Sequence, residues 1–499
     1  MLRSAVYRRK AAAITTAALV FLLTPLLTPL PLAAQDDPDR RLQAGAAASN
    51  ITPPLGELIV GGWSPKPATH IHDELYARCL VLDDGRTRIG IVLADNVGIP
   101  SHVIEEAKRL TFERAGLRPE QLLIASTHTH SASTARGKNR YDESSPLDDY
   151  QRFLAGRIAD GVQRAINNLQ PAQIGWGSGS LPEQVFNRRW FMKPGADLTN
   201  PFGGVDKVQM NPGVGNPNLL KPAGPTDPEI RFLSVRTPEG RPIALLANYS
   251  LHYVGGVPTG HISADYFGVF AERMSRLLGA DAQDPPFVAM MSNGTSGNIN
   301  NINFAGGQAK LPPYGRMNVV ANQVAGEVFR ALQEIPYDDR VPLGMIQREL
   351  TLEARRPDEA MTARARDILA RPEDAPQGHI RERTYAKRIL QIVEAPPRVD
   401  IVLQAVRIGD LAITAIPFEV FVEMGLEIKE KSPFPDTCTI SIANGAFGYL
   451  PTVHHHELGG YETWLGTNRV EVQAAPKIVS TMLAMLDELK PAGTASAAR

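Results

Sequence analysis

Apolar residues along this chain fall into two rhythms. Short solid or alternating runs closed by Gly, Asp or Asn read as strands, and longer stretches repeating every three or four positions read as helices. Residues 76–82 and 88–94 are apolar runs separated by Asp83-Asp84-Gly85, which predicts a hairpin. Residues 406–408 and 411–416, joined through Gly409-Asp410, predict a second one. Residues 101–115 predict an amphipathic helix with Ser101 as N-cap and Gly116 at its exit. Residues 147–169 carry Leu154, Ile158, Val162, Ala165, Ile166 and Leu169 on one helical face, and 475–489 predict a closing helix. Two stretches break the rhythm. Residues 193–228 are crowded with Pro, Gly and Asn and predict a long loop, either a lid over a site or a surface insertion; residues 355–397 are charged and helical in pattern and predict a helical cover. There is no internal repeat and no coiled coil.

Polar groups stand just past several of the strand-like runs. IASTHTHSAS ends a run with His128 and His130, which would share a face if the strand continued. PIALLANYS delivers His252; 411–417 leads to Glu419, placed past a strand and at the start of a helix; 437–443 leads to Tyr449; 287–291 leads into a Gly- and Asn-rich turn with Ser296. Such convergence is expected where strand ends meet at an active site, and neutral imidazoles beside a carboxylate suit Zn2+. Each residue also has a plain reading. His252 could be a satisfied core histidine, Glu419 a first-turn glutamate complementing a helix dipole, Tyr449 and Tyr461 core aromatics, and the turn around Ser296 an ordinary one. The trio His454, His455 and His456 reads as loop, because three consecutive side chains diverge. Asp95 and Asp265 are candidates for supporting hydrogen bonds.

Composition adds bounds. With 499 residues, 43% hydrophobic and 21% charged, the chain can bury one large core or two, and a net charge of -1 gives no electrostatic reason to expect nucleic acid or an acidic membrane as partner. Cys79 and Cys438 lie far apart in sequence; they are read as a pair or as two buried thiols, and not as a metal site. Residues 1–34 combine Arg3, Arg8, Arg9 and Lys10 with an apolar run ending PLPLAAQDD, the pattern of a secretory signal peptide. Pro25, Pro29 and Pro31 would interrupt a spanning helix. The expectation is export to the periplasm or extracellular space, with a linker at 35–45, a catalytic domain at 46–490 and a disordered tail at 491–499.

The residues resemble the neutral/alkaline non-lysosomal ceramidases, zinc-dependent amidases that split ceramide. Thr127-His-Thr-His-Ser131 looks like that family's first zinc motif, and His252 after NYSL is similar in position to its third zinc histidine. Ile416-Pro-Phe-Glu419 resembles the VPGE segment whose glutamate binds zinc, and Gly448-Tyr449-Leu-Pro-Thr resembles the GYVTT segment whose tyrosine approaches the metal. HHHELGGYE brings Tyr461 to the spacing of the tyrosine that polarises the substrate carbonyl. Phe186-Asn187-Arg188 resembles the NRS segment, and Ser296 stands where the family has the serine of GDVSPN. The motifs run in order from about residue 46 to 485.

By resemblance, then, the fold is mixed α/β, with two central β-sheets layered between helices in a single catalytic domain. The ligands of one Zn2+ per chain would be His128, His130, His252, Glu419 and Tyr449, with Ser296, Tyr461 and Arg188 catalytic. Ser296 has two readings, nucleophile or hydrogen-bonding group. The substrate would be ceramide, a related N-acyl lipid or a smaller amide, reached with transient contact to a membrane surface. The sequence departs from the family at Gly294 and Gly297 around Ser296, and 355–397 stands where a TCAPALG-type signature is absent. No immunoglobulin-like second domain is expected after the closing helix. The other readings are a barrel-type metal-dependent amidohydrolase, which also starts from HxH on a strand, and an exported binding protein without activity.

Overall fold

Three open sheets wrap one shared apolar core, and each carries helices on its outer face. The computed structural model describes residues 41–133, 135–136 and 145–490. The expected signal peptide and the tail lie outside the described residues.

The first sheet has the strands β1 (Gln43–Asn50), β2 (Tyr76–Asp83), β3 (Arg88–Ala94) and β4 (Leu122–Ser126), in the order β4-β3-β2-β1 with the two-residue strand Gln170–Pro171 at its edge. The second runs β8-β7-β6-β5, from β5 (Gln173–Ser180), β6 (Glu229–Arg236), β7 (Pro242–Tyr249) and β8 (Val288–Asn293). The third runs β9-β10-β11-β12, from β9 (Leu343–Glu353), β10 (Arg398–Ile408), β11 (Leu411–Ile416) and β12 (Asp436–Ser441). A single plan repeats in all three. Antiparallel strands lead to one edge where a helix crosses over to a parallel partner: α1 (Ser101–Ala115) between β3 and β4, α3 (Asp265–Leu277) between β7 and β8, and α7 (Val422–Lys431) between β11 and β12. Strands of such pairs are covered on both faces, and their sequences are therefore solid apolar runs such as LLIAS and VAMMSN. The edge strands β4, β8 and β12 touch one another, so the C-terminal ends of all three parallel pairs open into one place. Ligand sites of open α/β sheets form at such ends.

Leu82, Ile91, Leu246, Met290, Ile413 and Ile440 come from all three sheets and meet in the shared core. Outside it, α1 and α2 (Asp149–Asn167) cover the first sheet, α3 and α4 (Gly315–Leu332) the second, and α7 with α8 (Ala474–Leu489) the third. Burying each such Leu or Ile contributes roughly 1.5–3 kcal/mol. The helical pair α5 (Glu359–Ala370) and α6 (Glu382–Glu394) is the cover expected at 355–397.

The mixed α/β class is thus observed, and a third sheet joins the two that the resemblance implied; no barrel forms among the described residues. Local details differ from expectation. Pro100 rather than Ser101 occupies the N-cap of α1, while Gly116 closes it in the left-handed conformation. α2 is shorter than its apolar face suggested, because Asp148 caps it through Gln151 in a capping box. Residues 193–228 are not one loop: Arg189–Met192 pairs with Val208–Met210 and Leu219–Pro222 in a small sheet, whose strands are too short to show a period of two. Residues 453–458 form a short helix and not a loop. Cys79 and Cys438 are free and buried, one in the outer core of the first sheet and one in the shared core, and burial pushes both thiols up to about 12. No helix among the described residues is long and apolar enough to cross a membrane.

Candidate active site

The end of β3 builds the first wall. Asp95 accepts from Tyr76 N at 2.9 Å and Arg78 Nη1 at 2.5 Å, and it is fully buried. This fixes Asn96, whose carbonyl accepts the His128 N–H at 3.0 Å. His128 does not continue strand β4. It takes a left-handed φ of 70°, a conformation that costs a non-glycine residue about 1 kcal/mol or more. His128 and His130 therefore do not share the strand face that the HxH spacing predicted. They are brought together by an irregular turn held against Asn96, and that strain is the price of their convergence.

All three histidines have the same tautomer. His128 Nδ1 donates to Val97 O at 2.6 Å, His130 Nδ1 to Gly61 O at 2.6 Å, and His252 Nδ1 to Ser296 O at 3.1 Å. A carbonyl only accepts, so each Nδ1 carries a hydrogen and, in the neutral ring that a metal requires, Nε2 offers its lone pair. Those lone pairs face each other: His128 Nε2 lies 3.1 Å from His252 Nε2 and 3.1 Å from His130 Nε2. Glu419 Oε2 stands 3.3 Å from His128 Nε2 and 3.7 Å from that of His252, and this buried oxygen has no hydrogen-bond donor of its own. Protonation cannot relieve the crowding of His130 and His252. Burial, with His128 beside it, holds His130 well below the ordinary imidazole range, and burial with Arg188 does the same for His252. Burial opposes charge on Glu419, but His128 beside it and the Tyr449 hydroxyl outweigh it and hold the carboxyl well below its ordinary range.

Four donors of this kind fit a cation. A tetrahedron with bonds of about 2.05 Å to zinc has edges of about 3.3 Å, which the spacings of His128 Nε2 to its three neighbours, 3.1, 3.1 and 3.3 Å, match. Three neutral imidazoles and one carboxylate are also the ligand types that zinc takes. His128, His130 and His252 are the one group among the described residues with metal-holding spacing. The trio at 454–456 does not join it: His455 is buried, with Nδ1 on Thr452 Oγ1 and Nε2 3.4 Å from Glu423.

The remaining candidates surround this group in a cavity of about 210 Å³, lined by His128, His130, His252, Glu419, Arg188, Tyr449 and Tyr461. Glu419 sits in a two-residue strand paired in parallel with Tyr449, three residues before α7 begins at Val422, so it is not a helix-start glutamate. The Tyr449 hydroxyl links Arg188 to Glu419 by hydrogen bonds. Tyr461 stands edge-on to Tyr449 with ring centroids 5.6 Å apart. Ser296 is not on the cavity wall. It lies behind His252, with Oγ donating to Asn293 Oδ1 at 2.6 Å and facing His252 Nδ1 at 3.3 Å. Asp265 holds the turn after His252 by accepting from Val254 N at 3.1 Å and Gly255 N at 2.8 Å.

Several participants were not visible in the sequence. Glu462 is fully buried and accepts from Arg188 Nε at 3.0 Å and from Arg189 Nη1 at 2.6 Å. Tyr253 stacks on His130 at 3.7 Å, Trp63 stands edge-on to Tyr461 at 5.6 Å, and Arg136 and Arg388 reach the cavity. The aromatic next to His252 was the one available signal. Gly297 matters because a Cβ there would lie 2.5 Å from Glu419 O and 2.9 Å from Phe421 Cδ1. Gly297→Ala should push the Glu419 backbone away, costing about 1–3 kcal/mol of stability and weakening metal affinity; denaturant unfolding and competitive chelation would measure the two effects.

A family model described as neutral/alkaline non-lysosomal ceramidase, N-terminal, matches residues 42–310. The neutral ceramidase of Pseudomonas aeruginosa is 25% identical in an alignment of 298 positions that covers 57% of this chain and 41% of that relative's length. Among solved structures, the fold is similar to a neutral ceramidase from Pseudomonas aeruginosa, with a TM-score of 0.63 at 17% identity. It is also similar to a ceramidase complexed with C2, with a TM-score of 0.66 at 16% identity; each comparison covers 92% of this chain and 77% of the other. With the model match spanning more than half of the sequence, the chain belongs to the neutral/alkaline non-lysosomal ceramidase family.

Proposed function

We propose that this protein is a zinc-dependent hydrolase of N-acyl amides, with ceramide or a related N-acyl lipid as substrate, and that it acts after export from the cell. The observation that carries the reading is the set of three Nε2 lone pairs turned on one point beside the ionised Glu419. Family membership supports amide hydrolysis, and the relatives named ceramidases favour a lipid amide. The open sheets argue against a barrel-type amidohydrolase.

Zn2+ bound there would supply Lewis acidity, drawing hydroxide from water near neutral pH and polarising the amide carbonyl. The chain's own groups do the rest. The carbonyls of Val97, Gly61 and Ser296 hold the three imidazoles in the tautomer that leaves Nε2 free. Tyr461 reaches the cavity and would donate its hydroxyl to the oxygen that gains charge as the carbonyl is attacked. Arg188, anchored by Glu462 and by Gly297 O at 2.7 Å, orients Tyr449 and through it Glu419. Ser296 is assigned the positioning role of its two readings, since its oxygens face Nδ1 of His252 and not the cavity.

Two substitutions test these assignments together. Tyr461→Phe should lower kcat about 10²- to 10³-fold with little change in KM, as for loss of one oxyanion donor. Ser296→Ala should cost no more than about 10- to 100-fold, because the Ser296 carbonyl still holds His252. Single-turnover kinetics on an N-acyl fluorogenic amide distinguish the alternatives. An acyl-enzyme burst that disappears in Ser296→Ala would make the serine a nucleophile and overturn this assignment.

A further inference from the structure

Two guanidinium groups of the cavity wall face different surroundings. Arg188 and Arg388 both line it, and Glu419 is the one carboxylate among the described lining residues. Glu419 is turned to the histidines, and Glu462 lies behind the wall, engaged with Arg188 and Arg189. Arg388 is different. Its contacts are Thr467 Oγ1 at 3.5 Å and the rings of Tyr385 at 4.8 Å and Trp63 at 5.8 Å, with no carboxylate in ion-pair range among the described residues. A guanidinium half-withdrawn from water against aromatic rings loses hydration that only an anion restores in full, and its planar fork matches a carboxylate. Arg388 comes from α6, part of the 355–397 segment where this sequence departs from the family pattern.

The remaining geometry fits such an anion. Trp63, 41% exposed, lines the cavity with Tyr461 edge-on to it and Arg381 over its ring at 3.9 Å, so a second guanidinium stands close to Arg388 on this side. The cavity of about 210 Å³ suits a compact polar head better than a second long chain. Resting on the amidase reading above, we propose that the preferred substrate is an N-acyl amino acid, a fatty amide whose amine half carries a carboxylate, and that Arg388 is the residue that selects it. Hydrolysis balances simply: water adds across the amide, the C–N bond breaks, a C–O bond forms, and the amine nitrogen takes the proton, giving a fatty acid and a free amino acid.

The test compares N-lauroylglycine with N-lauroylethanolamine on the zinc-loaded protein. The glycine conjugate should have a kcat/KM at least about tenfold higher, and Arg388→Gln should lower that preference about 10- to 100-fold, through KM rather than kcat. Calorimetric binding of the hydrolysis-resistant dodecanesulfonyl derivatives of glycine and ethanolamine reads recognition without turnover. The glycine derivative should bind more tightly, and Arg388→Gln should remove the difference. Equal kcat/KM for the two amides, or equal binding of the two sulfonamides, overturns the inference while leaving the amidase reading intact. Turnover of a fluorogenic ceramide with no turnover of the glycine conjugate also overturns the inference, whereas turnover of none of the three amides overturns the amidase reading, and the calorimetry then still decides whether Arg388 selects the anion.

Discussion

His252→Ala is expected to remove the bound metal and to lower kcat/KM for amide hydrolysis by at least about a thousandfold, since metal catalysis contributes several kcal/mol to such barriers. The reason lies in how the site is balanced. His128 Nε2 sits between the other two, 3.1 Å from each, and the four donors hold a cation only as a set. With His252 gone, the remaining donors are His128, His130 and Glu419, and the part of the wall formed by His252 opens. Measuring zinc per chain together with turnover separates this from a folding defect, because the far-ultraviolet spectrum should stay close to that of the metal-depleted wild type. A variant that keeps full zinc occupancy would show that His252 is a core histidine.

The second large effect concerns stability. Glu462 is fully buried between Arg188 and Arg189, and Arg189 is itself wholly buried, with Nη2 donating to Gly459 O at 2.5 Å. Glu462→Gln keeps the shape and removes the charge, leaving two guanidinium groups inside the protein with no anion between them. Breaking a buried ion pair in this way costs roughly 3–5 kcal/mol. Denaturant unfolding should show that loss. Catalysis should suffer as well, because Arg188 then no longer holds Tyr449 and Glu419 in line. Double substitution of Arg189 and Glu462 should recover part of the stability, whereas strict additivity of the two single effects would contradict direct coupling.

What the sequence made legible follows from these energetics. The parallel strand pairs are buried on both faces, so they appear as solid apolar runs, and the polar residues just beyond them are the site. This is why His128, His252, Glu419 and Tyr449 could be placed at strand ends from the sequence alone. Contacts between distant segments were not legible. Glu462, beside Tyr461, looks like an ordinary turn glutamate, and its partners are more than 270 positions away in the chain. The left-handed turn at His128 leaves no trace in an HxH pattern, because the conformation is imposed by Asn96 from the neighbouring strand end. The strands at 208–210 and 219–222 were hidden by the prolines and glycines that form their turns. Trp63 and Arg388 reach the cavity from segments whose local patterns say nothing about what they face.

The central claim is that His128, His130, His252 and Glu419 hold one catalytic zinc ion. The most direct test strips the purified protein with chelator, reloads it with Zn2+, and measures metal per chain against amide hydrolysis during titration. The account predicts that activity rises linearly and saturates at one zinc per chain. Full activity in the stripped protein, or no zinc retained after reloading, would contradict it.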